Sequence, residues 1–431
     1  MLKIGDKKLI NAWAFYDWSN SVYSLVISTA VFPIYYDAIT EGKVVRFLGM
    51  DWEHPNSLYT YALSFSFLIV AFMSPILSGI ADFRGNKKSF MKFFCLLGSL
   101  SVMSLYFFKG VDTIWIGLIA SVLASIGFWG SIVFYNAYLP EVALPEQQDR
   151  VSAKGFIHGY IGSIILLGIS LALIEKPEFF GITKAIAPRI SFVMVGVWWL
   201  GFAQFTFRRL PEEKFEGKPE DGYLWKGFEE LKKVIKELKQ YPVLKKFLTA
   251  FFLLSVGVQT IILTASLFGT SELKLGSGDL IATILIIQVL AIFGAFIFSR
   301  ISERFGNISA LKITIFIWLL VCLGAFMLDK NLENIKLYFY MLGGLLGLVL
   351  GAIQSLARST YSKLLPETND HTTYFSFFDV TEKLAIVIGT FVYGLLFAIT
   401  GSMQWSILCL AVFFLLSFII ISTLKKTKHV S

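Results

Sequence analysis

Three ionisable residues interrupt an otherwise apolar stretch, Phe375-Ser376-Phe377-Phe378-Asp379-Val380-Thr381-Glu382-Lys383. Asp379 and Glu382 are three apart, and Asp379 and Lys383 four apart, so on a helix all three share one broad face. Counted from Thr373 at about 1.5 Å per residue, Glu382 and Lys383 sit roughly 13–15 Å along a span, near the middle of a hydrocarbon layer of ~30 Å. One lysine cannot neutralise two acids. Either one carboxyl holds a proton at neutral pH, or another cation joins the cluster. Proton coupling needs such a group, and Glu382 is the first choice for it. The other reading is a structural pair of Lys383 with one acid, with the second acid near an aqueous mouth.

A second carboxylate stands in the first apolar stretch, where Trp13, Asp17, Asn20 and Ser24 follow one helical face. A charge at such a place costs about 2.5–3.5 kcal/mol on insertion scales, so Asp17 is expected to face protein. It reads either as part of a substrate or proton path or as a packing or gating contact with a neighbouring helix. Tyr16, Tyr23, Tyr135, Asn136, Gln259, Gln288 and Gln354 are candidate donors and acceptors lining a cavity. His158 reads as a hydrogen-bonded packing residue or as a proton or substrate group.

Elements able to hold these groups follow from the composition. Of 431 residues, 56% are hydrophobic and 16% charged, with 42 Phe, 17 Tyr and 10 Trp, and the mean hydropathy is +0.69. Water-soluble cores cannot absorb so much apolar surface, whereas lipid can. Apolar runs predict twelve spans, near 10–38, 58–81, 89–108, 112–138, 155–174, 188–206, 244–269, 279–299, 309–328, 336–357, 373–399 and 402–424. The start, Met1 to Lys8, leads into the first span without a small-residue cleavage pattern, and an uncleaved helix is expected. The three cysteines lie in apolar runs without metal or disulfide spacing, and neither a metal nor a cofactor is expected.

The net charge of +8 does not point to nucleic acid. The side that holds both termini carries 28 of the 38 Lys and Arg, the opposite side 9, and Lys383 lies within a span. The positive-inside rule then predicts cytoplasmic termini. Between the sixth and seventh spans, Leu224, Phe228, Leu231, Ile235 and Leu238 alternate with charges, which reads as an amphipathic helix lying on the inner membrane face. The expected division is 1–207, a linker 208–243, and 244–431.

The halves repeat a pattern. Asp82-Phe83-Arg84-Gly85-Asn86-Lys87-Lys88 follows the second span, and Glu303-Arg304-Phe305-Gly306-Asn307 follows the eighth. Leu139-Pro140-Glu141 follows the fourth, and Leu365-Pro366-Glu367 the tenth. Such duplication predicts an all-α membrane protein of two pseudo-symmetric six-helix bundles. Gly85 permits a tight turn, Asp82 can face a helix amino terminus, and Arg84, Lys87 and Lys88 can meet carboxylates or lipid phosphates. The turn resembles the signature of the major facilitator superfamily. Asn11 to Ser21, Phe134 to Glu141, Arg150-Val151-Ser152, Gly159-Tyr160-Ile161-Gly162 and Gln354 to Ser359 together resemble the vacuole-effluxer-like family of that superfamily. In the seventh span Ser255-Val256-Gly257 stands where the family pattern leads one to expect Asp-Gly, so Val256 removes a carboxylate.

The resemblance implies a secondary transporter, with amino-acid export the activity associated with fungal members. A reactive constellation for a membrane enzyme is not found, since neither HExxH nor a phosphate-binding loop occurs. The expected mechanism is alternating access of two halves, as a monomer, in a prokaryotic inner membrane, with a small solute and a proton or other coupling ion as partners. Asp17, Asn20, Tyr16, Asn136, Gln259, Gln354, Asp379, Glu382 and Lys383 form the expected path, and Asp82, Gly85, Arg84, Glu303, Gly306 and Arg358 the expected cytoplasmic gate. A lipid or drug exporter of the same fold and a non-transporting scaffold are the alternatives.

Overall fold

Hydrocarbon offers the peptide groups of a crossing chain no partners, and helices satisfy them locally. The computed structural model describes residues 3–53, 55–211 and 223–424. Within these, twelve helices are long and apolar enough to cross a membrane: Lys7–Thr40, Leu58–Phe83, Lys87–Phe107, Val111–Ala137, Pro145–Glu175, Ala187–Phe207, Pro242–Thr270, Gly278–Phe305, Asn307–Met327, Ile335–Leu364, His371–Thr400 and Met403–Ser422, here spans 1 to 12. All twelve expected spans are present. Their ends differ where hydropathy stops before hydrogen bonding does, because helices run on past the apolar layer. Span 5 begins at Pro145 rather than near 155, and span 10 continues to Leu364 rather than to about 357.

Three local features were not legible in the apolar pattern. Within span 1, Tyr23–Val31 is a π-helix, and Thr29 Oγ1 donates to the Ser24 carbonyl, five residues back, at 2.8 Å. Span 7 also ends in a π-helical segment, Phe268–Glu272. Between spans 1 and 2, Val45–Phe47 pairs antiparallel with Met50–Trp52. The two-residue turn of that hairpin puts both Leu48 and Gly49 at positive φ.

Packing groups the chain into two compact units, Met1–Tyr138 with His158–Phe228, and Leu139–Ile157 with Glu229–Ser431. The first part of span 5 thus packs within the second unit, and the linker helix Tyr223–Leu238 is divided between them. In the first unit, spans 3 and 4, 3 and 6, 2 and 4, and 1 and 6 pack together. In the second, the pairs are 9 and 10, 9 and 12, 8 and 10, and 7 and 12. Each pair of the first unit recurs with six added, which is the duplication read from the loops. Close approach relies on glycine: Gly347 and Gly351 of span 10 lie against the backbone of Ile287 and Ala291 in span 8.

Both repeated turns end their helices with glycine. Gly85 has φ 61°, and Asn86 N–H donates back to the Ala81 carbonyl at 3.2 Å, closing a left-handed cap. Gly306 has φ 84° and ψ 153°, a region that side chains with a Cβ essentially do not enter. Gly306→Ala is therefore expected to lower unfolding stability by about 1–3 kcal/mol. Gly168→Ala, with open space around its added methyl, is expected to leave it unchanged or slightly higher. Thermal unfolding of the purified variants compares the two.

Candidate functional site

Span 11 packs along span 7, and Gly389 fits against Thr260 and the Val256 carbonyl. That contact aligns the charged face of span 11 with Gln259. Lys383 Nζ lies 3.0 Å from Asp379 Oδ1 and 3.2 Å from Glu382 Oε2. Gln259 Nε2 donates to Glu382 Oε1 at 2.7 Å. Phe378 stacks on Phe251 with ring centroids 4.0 Å apart and covers one side of the helix. Four of the expected path residues are thus joined in one unit. Asp379 is buried, 4% exposed, while the Glu382 side chain is 19% exposed. Asp379 Oδ2 has no hydrogen-bond donor among the described residues.

The first unit holds a second polar cluster. Tyr135 Oη donates to Asp17 Oδ2 at 2.8 Å, and Trp13 Nε1 donates to the Tyr135 carbonyl at 2.9 Å. The Trp13 and Tyr135 rings stack at 4.5 Å. Span 4 therefore meets Asp17 through the Tyr135 hydroxyl, while Trp13 of span 1 holds the ring and carbonyl of the same tyrosine. Tyr16 packs beside it, its ring 5.1 Å from that of Tyr135. Asn20 is buried one helical turn on, and its Nδ2 has no acceptor among the described residues. Asn136 is buried next to Tyr135, and Gln354 is half-buried on span 10. His158 meets Phe15 edge to face, inside an aromatic group that includes Trp18, Phe202 and Phe205.

The expected gate residues fall into two groups. In the second unit, Arg358 Nε donates to Ser152 Oγ at 2.9 Å, and Nη2 to the Ser152 carbonyl at 2.8 Å, with the guanidinium 4.2 Å over the Phe156 ring. Glu303 pairs with Arg150. Between these lies Asp149, which the residue pattern had not singled out. Its Oδ2 accepts from Ser302 Oγ and Lys363 Nζ, each at 2.8 Å, and its Oδ1 from Asn307 Nδ2 at 2.7 Å. The start of span 5 is thus tied to the turn after span 8 and to the end of span 10. An acid in the first turn of a helix is a signal for Asp149, but the expected span began after it. In the first unit, Asp82 is half-buried before the Gly85 turn, and the Arg84 side chain lies outside the described residues. Lys88 donates to the Leu210 carbonyl at 2.8 Å, and Lys87 lies 5.0 Å over the Tyr138 ring, so both are engaged inside the protein.

Two units with matching helix pairs have the fold of the major facilitator superfamily. The fold agrees with that of the outward-conformation crystal structure of FucP (TM-score 0.70, 14% identity, 97% of this chain and 98% of the other) and with the proton:xylose symporter XylE (TM-score 0.71, 12% identity, 98% and 96%). The family model described as vacuole effluxer Atg22 like matches residues 5–430, and the chain belongs to that family. It is 31% identical over 414 residues to an uncharacterized MFS-type transporter, YxiO, of Bacillus subtilis, covering 96% of this chain and 94% of that one. It is 26% identical over 390 residues to autophagy-related protein 22 of Kluyveromyces lactis, covering 84% and 77%. The protein is a membrane transporter and not an enzyme.

The network around Asp149 separates buried from exposed charge. Asp149→Ala leaves Lys363, 8% exposed, without its carboxylate, and is expected to cost about 3 kcal/mol. Arg150→Ala removes a side chain that is 58% exposed, and is expected to cost about 1 kcal/mol or less. Thermal unfolding in detergent reads both.

Proposed function

We propose that this chain is a proton-coupled secondary transporter of a small polar solute, working by alternating access in a prokaryotic inner membrane with cytoplasmic termini. The observation that carries the reading is the cluster of Asp379, Glu382 and Lys383, two acids and one base at the depth of the apolar layer. Structural ion pairs in such surroundings are balanced, because an unpaired charge there is costly. An unbalanced one suits a group whose charge changes during the cycle. The relatives and the fold support secondary transport, and the 28 basic residues on the termini side support the orientation.

The solute class follows from the groups at hand. In the second unit, two acids, one lysine, the Gln259 amide and the Phe251 and Phe378 rings suit a zwitterion such as an amino acid. The turn at Asp82 and Gly85, and the network of Glu303, Gly306 and Arg358, serve in this reading as the cytoplasmic gate. Arg358 is suited to it because its two bonds to Ser152 form or break as a unit.

Thermal-shift screening of the purified protein against amino acids, peptides, sugars and drugs identifies the ligand. Uptake of that ligand into liposomes is expected to rise when a pH gradient is imposed. In the double variant Asp379→Asn/Glu382→Gln, the gradient is expected to lose its effect. Gradient-driven uptake that persists unchanged in the double variant overturns the assignment of coupling to this cluster. Stabilisation by a lipid or drug and by no amino acid overturns the solute class.

A further inference from the structure

We propose that the two acids of span 11 divide the work: Asp379 takes the coupling proton, Glu382 with Gln259 takes the ammonium group of the solute, and Lys383 makes the two exclusive. The inference rests on the proton-coupled reading above and names the chemical class of the solute and the sign of coupling.

The division follows from donors and burial. Both oxygens of Glu382 are met, Oε1 by the Gln259 amide and Oε2 by Lys383. Asp379 shares the same lysine through Oδ1 alone, and its Oδ2 is buried with no donor among the described residues. A proton on that oxygen removes a buried charge that nothing else satisfies. The sequence pattern of two acids with one base at depth puts Glu382 first as the titrating group, but the donor count assigns that role to Asp379. Exposure points the same way, since Asp379 is 4% exposed and the side chain of Glu382 19%. The less accessible acid suits a proton, and the more accessible one suits a larger cation.

Lys383 and Glu382 are the charged groups acting on Asp379. Span 7 brings Gln259 and Thr260, its lysines being Lys245 and Lys246 at the far end. Span 12 has Cys409 as its one ionisable residue. Span 10 sends Tyr361 to the Tyr374 carbonyl, while its Arg358 and Lys363 are engaged with Ser152 and Asp149. From the linker helix, Lys233 and Glu237 meet Asp370 and Tyr374 at the start of span 11.

With both acids ionised, Asp379, Glu382 and Lys383 together carry one net negative charge, and one proton or one ammonium group brings these three to neutrality. A proton on Asp379 leaves Lys383 to neutralise Glu382 alone, and the ammonium group loses its counter-charge. An ammonium group on Glu382 leaves Lys383 to Asp379, and the proton leaves. The result is exchange of a proton for a solute bearing an ammonium group.

Infrared titration of the purified full-length chain reads protonated carboxyls through their C=O stretch. One band that grows on acidification is expected to vanish in Asp379→Asn and to remain in Glu382→Gln. If Asp379→Asn does not fold, Asp379→Glu makes the same assignment by displacing the band. Methylammonium chloride is the minimal ammonium probe. Once it saturates the site, each tenfold increase is expected to lower the midpoint of the band by about one pH unit, through reciprocal linkage. Sodium chloride at equal concentration, and methylammonium with Glu382→Gln, are expected to leave it in place. A band that survives in Asp379→Asn and vanishes in Glu382→Gln, an equal shift with sodium, or no shift overturns the inference. Liposome transport separates it from the coupling reading: gradient-driven uptake with the band on another acid overturns this inference alone. An Asp379 band without gradient-driven uptake overturns the coupling alone.

Discussion

A charge inside hydrocarbon must be met by a partner from the same fold, because no water reaches it. That constraint organises both units. Asp17 is met by Tyr135, whose ring and carbonyl are in turn fixed by Trp13. Asp379 and Glu382 share Lys383, and Gln259 supplies the remaining donor. In each unit the polar group sits where the fifth helix meets the first through a glycine: Gly159 against Ser21 and the Asp17 carbonyl, Gly389 against Thr260 and the Val256 carbonyl. Close backbones bring short polar side chains within reach, and long ones such as Lys383 are left to span the rest.

The same economy holds at the membrane boundary, where charges are cheaper and more numerous. Asp149 collects three donors from three elements of its unit, and Arg358 gives Ser152 two of its hydrogens. The Phe156 ring lies under the Arg358 guanidinium.

Much of this was legible in the residues, and the limits have physical causes. The twelve spans were readable because lipid imposes length and hydropathy together. The glycines at 85 and 306 were readable because a left-handed backbone needs them. Asp379, Glu382 and Lys383 declared themselves by being charged in an apolar run, and Gln259 was one of several amides that only the fold could choose among. Asp149 and Lys363 escaped notice because ordinary charges near loops carry no signal until tertiary structure buries them. Which acid lacks a donor depends on atoms, not on spacing, and there the pattern favoured Glu382 while the hydrogen bonds favour Asp379.

The π-helical stretch Tyr23–Val31 begins one residue before Ser24, just beyond the face that carries Asp17 and Asn20. A π turn contains one residue more than an α turn. Such a segment is slack in a rod that is otherwise taut. Each extra residue turns everything from Phe32 onward by about 100° round the axis relative to an uninterrupted α-helix. Span 1 thus sets its outer aromatic residues by that extra residue: in this register Tyr35 donates to the Phe108 carbonyl and Tyr36 to the Pro55 carbonyl, while Asp17 keeps Tyr135 on the other side of the segment.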